Sequence, residues 1–132
     1  MDSVPLVESS RNPGLILFYG SLHGRRVLIQ ADTGKSRCTI DPGLARDLGL
    51  QEDERGFRVD ELRIGSFTFK IPSAKEVDLR AIDDSLADPI LLGIGSDILN
   101  QVPVTVDYIA GRLLFPSASG RGQRDLSTSR GR

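Results

Sequence analysis

Val27-Leu-Ile-Gln-Ala-Asp32-Thr33-Gly34 decides how this chain is read, because an apolar run ends abruptly on a carboxylate, a small hydroxyl and a glycine. A carboxylate at the end of a buried strand, followed by residues that permit a tight turn, sets an acid into a floor that a substrate can reach. The same three residues also suit an Asx turn, in which Asp32 accepts backbone N–H groups two residues on. Both readings put Asp32 at a strand end, and the rest of the chain has to separate them.

Upstream, Leu15 to Tyr19 and Val27 to Ile29 are β-rich runs around Gly20-Ser-Leu-His-Gly24, which predicts a hairpin turning between those glycines. Downstream, Cys38-Thr-Ile40 favours a short strand. Asp41-Pro42 then opens a helix, with Asp as N-cap, Pro in the first turn and Gly49 at its close. From Gln51 to Asp60 the chain is almost entirely charged apart from Gly56, Phe57 and Val59, which predicts an exposed loop or hairpin outside the core. Leu62 to Ile71 alternates apolar and polar residues about Gly65-Ser66, the pattern of a hairpin with one buried face, and a further strand is expected over Ala74 to Leu79. After the polar connection Asp83 to Pro89, Ile90-Leu-Leu is a fully apolar run suited to a buried strand. Ser96 or Asp97 can cap a short helix running to about Val102. Val104 to Tyr108 and Leu113 to Phe115 flank Ile109-Ala-Gly-Arg as a last hairpin.

Composition narrows the function classes. A chain of 132 residues suits one domain, here residues 13–116, preceded by an N-terminal strand or arm over 1–12. A Ser/Gly/Arg tail over 117–132 is too polar to pack and is expected to be disordered. Seventeen basic against eighteen acidic side chains leave a formal charge of −1, without the electrostatic footprint of a nucleic-acid partner. The tail's four arginines and Asp125 do not change that balance. The single cysteine, Cys38, rules out an intrachain disulfide and a Cys-rich zinc site. No run approaches the roughly 18 apolar residues of a membrane span, and no leader pattern opens the chain, so a cytoplasmic protein with no membrane partner is expected. No cofactor or metal is expected either. Asp83, Asp84 and Asp88 fit no EF-hand spacing, Gly93-Ile-Gly95 lacks the third small residue of a dinucleotide fingerprint, and His23, the one histidine, lies in a predicted turn, so a Ser-His-Asp triad would require it to meet a suitably placed Ser. Asp107, in Val-Asp-Tyr, reads as a hydrogen-bonded strand-end carboxylate.

These residues in this order resemble the retropepsin-like aspartic proteases, the single-domain family that includes retroviral proteases and bacterial relatives. The likeness spans about residues 13–115. It rests on the hairpin into Asp32-Thr33-Gly34, on Thr39-Ile-Asp-Pro with its helix, on the strands around Leu62 to Ala74, and on Ile90-Leu-Leu-Gly93-Ile94-Gly95-Ser-Asp-Ile-Leu99. Gly95 lies 61 positions beyond Gly34, a separation that suits such a domain.

The resemblance implies a mainly β fold, a closed acid-protease barrel with one or two short helices. It implies an aspartic endopeptidase in which Asp32 is half of a catalytic pair. Thr33 and Gly34 would support the site, and Gly93, Ile94 and Gly95 would form the structural loop beneath it. Because the chain holds one Asp-Thr-Gly, the second Asp32 would come from another copy in a twofold homodimer. Lys35 and Ser36 would face a peptide or protein substrate, as would Gly56 and Phe57 of a flap within Gln51–Asp60. Lys35 stands where the family has a small residue, and the flap is short and polar. The alternative is therefore a catalytically silent domain of the same fold, used for dimerisation or peptide binding.

Overall fold

A computed structural model describes residues 2–116. The expected tail over 117–132 lies outside the described residues. Nine strands form one continuous sheet: β1 (Asp2–Val7), β2 (Ile16–Leu22), β3 (Arg25–Ala31), β4 (Thr39–Ile40), β5 (Phe57–Ile64), β6 (Phe67–Glu76), β7 (Ile90–Ile94), β8 (Thr105–Asp107) and β9 (Arg112–Phe115). Helix α1 (Pro42–Asp47) and helix α2 (Ser96–Leu99) are short, and a single 3₁₀ turn spans Leu79–Ala81. The strand order is β3-β7-β4-β6-β5-β2-β1-β9-β8, and a further β2–β3 pairing closes the first six into a barrel. The fold is therefore mainly β, a closed barrel with two short helices.

The barrel's defining feature is an insertion. β7 runs parallel to β3 on one side and antiparallel to β4 on the other, so a strand from late in the chain is threaded between two early ones. Such a strand has no free face, and Ile90, Leu91, Leu92, Gly93 and Ile94 are all buried, as a fully apolar run requires. β2 and β3 are buried on both faces for a related reason. Phe18 and Ile29 point into the main core, while Leu17 and Leu28 join a second cluster with Leu79 and Ile90 on the outer side. A polar staple borders that outer cluster. The buried Asp83 carboxylate accepts from Ser85 (N 2.9 Å, Oγ 2.5 Å), from the Ser9 hydroxyl and from Asn12 Nδ2 at 2.9 Å. These bonds, Ser85 foremost and then Ser9, hold its pKa below the usual carboxylate range.

Several boundaries differ from the sequence reading. Gly20 does not begin a turn but sits inside β2, where a Cβ would lie 2.7 Å from the carbonyl oxygen of Arg63 on β5. The chain reverses instead at His23 and Gly24, both with positive φ, as a two-residue hairpin turn requires. β5 begins at Phe57, inside the charged stretch, and β6 continues to Glu76, so no separate strand covers Ala74 to Leu79. Leu79 starts the 3₁₀ turn. α2 stops at Leu99 and its N-cap is Gly95, without a side-chain cap. α1 follows the sequence closely: Asp41 Oδ2 accepts from Gly43 N at 3.0 Å and Leu44 N at 3.4 Å, and Gly49 takes a positive φ.

Candidate active site

The site is the turn that follows β3. Asp32 N donates to Ile94 O at 2.9 Å, extending the β3–β7 ladder by one rung, so the inserted strand fixes where the carboxylate leaves the sheet. Asp32 Oδ1 accepts from Gly34 N at 2.9 Å, and Lys35 N donates to Asp32 O at 3.2 Å. The Asx turn is thus present, and it is also what orients the carboxylate. Asp32 is half-buried, whereas Thr33, Gly34, Lys35 and Ser36 are exposed. A buried strand therefore presents an acid on an open surface.

Gly95 supports the turn from below. A Cβ there would stand 2.6 Å from Lys35 O and 2.8 Å from Arg37 O, so only a residue without a side chain lets the site loop settle onto the end of β7. Ser96 N donates to Lys35 O at 2.8 Å. Gly93 and Ile94 are buried in β7, where Gly93 packs against Thr39 and Ile94 O accepts from Asp32 N. The loop's exit is held by Asp97, whose two carboxylate oxygens accept from Cys38 N at 3.0 Å and from the Cys38 thiol at 3.2 Å. Burial pushes the Cys38 thiol well above its ordinary pKa, and the Asp97 charge adds to the effect, so the sulfur stays protonated.

The two other proposed substrate contacts part company. Gly56 belongs to an exposed turn over Asp53–Gly56, closed by Asp53 N to Gly56 O at 2.9 Å and by an isolated pairing of Glu52 with Phe57. Phe57 is only 2% exposed and packs into the main core. Arg37 joins the turn to the site loop, its Nη2 donating to Arg55 O at 2.8 Å and to Ser73 Oγ at 3.0 Å. Sequence inspection gave no signal for that link, since it joins residues brought together only by the barrel. Asp97 was visible as a possible helix cap but not as the anchor of Cys38. His23 accepts from Asp60 N at 3.2 Å, and Asp107 Oδ1 caps Ala110 N at 2.9 Å, so both serve turns.

Beside the triplet, Thr33 opens onto an apolar cleft of about 400 Å³ lined by Ile16, Ala31, Leu99, Val102 and Val104. Among the described residues β8 lies at the outer edge of the sheet, hydrogen-bonded only on its β9 side.

A likeness in three dimensions bears on the fold. A retropepsin-like aspartic protease from Rickettsia conorii superposes with a TM-score of 0.57 at 15% identity, covering 86% of this chain and 88% of that one. The fold is retropepsin-like. No protein-family model matches the sequence, and no curated protein matches it. No helix among the described residues is long and apolar enough to cross a membrane.

Proposed function

We propose that this chain is an aspartic endopeptidase, active as a homodimer in which each copy contributes Asp32. The observation that carries the reading is the carboxylate itself. It sits at the end of a buried strand, is aimed by Gly34 N at 2.9 Å, and opens onto an exposed surface instead of into the core. One carboxylate cannot do the chemistry of a pair, and the apolar cleft beside Thr33, continuous with the site, suits a second copy about a twofold axis.

Two carboxyl groups brought together there would hold one proton between them, because like charges a few ångströms apart resist joint ionisation. The ionised oxygen takes a proton from a water, the water oxygen attacks the peptide carbonyl carbon, and the protonated carboxyl donates to the carbonyl oxygen. The tetrahedral intermediate then breaks its C–N bond as the amine receives a proton. Peptide substrate would lie as an extended strand between the floor and the Asp53–Gly56 turn. Neither cofactor nor metal enters the reaction, and neither nucleic acid nor membrane is a partner in this reading.

One observation favours a second reading, a silent domain that binds peptides or dimerises. Lys35, exposed directly after the triplet, adds a cation to the Asp32 turn that a peptide-binding surface could use. One experiment separates the two. Cleavage of an unstructured peptide library is followed between about pH 3 and 7, a window spanning the titration of such pairs, with oligomeric state recorded. Asp32→Asn is expected to cut the rate by at least about 10²–10⁴-fold while the dimer persists. A wild-type dimer that cleaves nothing across that range would instead establish the silent domain.

A further inference from the structure

We propose that Arg37 is a positioning residue whose guanidinium latches the Asp53–Gly56 turn to the site loop, so that the wall of the substrate channel is set in advance and does not swing in as a free lid. The inference rests on the protease reading only for its effect on substrate; the latch itself stands on the geometry.

The turn has little of its own to hold it in place. Gln51 to Arg55 are exposed and supply no apolar contact to the core. Its backbone bonds are internal: Asp53 N to Gly56 O at 2.9 Å, Arg58 N to Gln51 O at 2.9 Å, and Asp53 Oδ1 accepting from Arg55 N at 2.8 Å and Gly56 N at 3.1 Å. These define its shape but not its position. Contacts also reach outward from it. Gly56, at φ +154°, lies so close to β6 that a Cβ would stand 2.2 Å from Ala74 O. Arg37 makes another.

Arg37 is half-buried, and its Nη2 reaches Arg55 O at 2.8 Å, Ser73 Oγ at 3.0 Å and Ser73 O at 3.4 Å. One nitrogen therefore touches the turn and the β6 residue next to Ala74, while the backbone of Arg37 rests on Gly95. Among the described residues Arg37 makes no ion pair, so its hydrogen bonds are spent on neutral acceptors. A rigid planar donor group suits that task, where the ammonium of a lysine would not span the acceptors in the same way. Floor, site loop, turn and β6 are thereby coupled through a single side chain.

The test is amide hydrogen exchange on the whole chain as wild type, Arg37→Ala, Arg37→Lys and Ser73→Ala, with peptide-cleavage kinetics on the same samples. A hydrogen bond from a charged donor corresponds to about tenfold or more in an opening equilibrium. Exchange over residues 53–58 is therefore expected to accelerate by about tenfold in Arg37→Ala, less in Arg37→Lys and least in Ser73→Ala. Amides of β3 and β7 should keep their wild-type rates. In kinetics the loss should fall on KM and not on kcat, as expected when a binding wall is lost and the acid pair is untouched. Unchanged exchange over 53–58 in a folded Arg37→Ala would overturn the latch, as would wild-type exchange there as fast as in an unstructured peptide. If Arg37→Ala does not fold, Arg37→Lys and Ser73→Ala decide in the same way. Faster exchange with an unchanged KM would remove the role in substrate binding. A wild type that cleaves nothing would defeat the protease reading, leaving the latch to be judged on exchange alone.

Discussion

The Asp32 turn and the Asp53–Gly56 turn are held by opposite means. The floor is a threaded strand: β7 is buried along its whole length and hydrogen-bonded on both sides, and the Asp32 turn continues its ladder through Ile94 O. The Asp53–Gly56 turn is exposed, internally bonded and tied down by a glycine contact and one arginine. Yet both depend on a residue that cannot carry a side chain, Gly95 below and Gly56 beside, each pressed against a backbone carbonyl. Positional precision at the acid therefore comes from many bonds with no freedom, whereas the wall comes from a few bonds that could open. Under the proposed protease reading, that division would suit a carboxylate that stays fixed while a peptide enters.

The contrast would break first at Gly95. Gly95→Ala forces a methyl against two backbone carbonyls, so it should destabilise the fold by about 1–3 kcal/mol and displace the Asp32 turn. Denaturant unfolding beside a cleavage assay checks this, and a wild-type midpoint would show the floor to be softer than its packing implies. A second effect concerns acid. The N–H groups of Arg55, and then of Gly56, hold the Asp53 carboxyl below its ordinary pKa. Because its pKa is depressed in the folded chain, this cap is fully present above the unfolded value of about 3.9 and is lost as pH falls below it. The Gly56 amide should accordingly titrate below about pH 4 by NMR, the β7 amides should not, and Asp53→Ala should abolish the transition. The smallest effect is expected at Glu54, an exposed side chain of the turn. Glu54→Ala should change stability by no more than about 0.5 kcal/mol, measured by thermal unfolding, and a larger loss would mean that the turn contributes to the core.

What could be read in the sequence follows the same division. The floor was legible because its signals are local: an apolar run into Asp32-Thr33-Gly34, an unbroken apolar Ile90-Leu-Leu, and a helix framed by Asp41-Pro42 and Gly49. Elements governed by distant neighbours were not. Gly20 reads as a turn residue until β5 is known to cross it, and Phe57 is hidden in a charge run because burial of a strand's first residue depends on the partner strand. Ser96 and Asp97 both suit a helix cap, yet the Asp97 side chain is used on Cys38, across 59 residues of chain. Arg37 carried no signal at all, because a guanidinium bonded to carbonyls leaves no complementary charge in the sequence to match.

The ends of the described chain meet. β1 pairs with β9, with Asp2 opposite Phe115, and only through β9 does β8 join the sheet. During synthesis, then, β1 can meet β2 early through Leu6 and Val7, but its pairing over Asp2 to Pro5 would wait almost the full length of the domain for β9, while the β2–β3 and β5–β6 hairpins close as soon as they are made. Long-range pairings of this kind slow folding and leave strand edges open in the interval. The barrel should form early and the terminal sheet last, so the apolar cleft between Leu99, Val104 and Leu113 of β9 would be completed only after β9 has emerged.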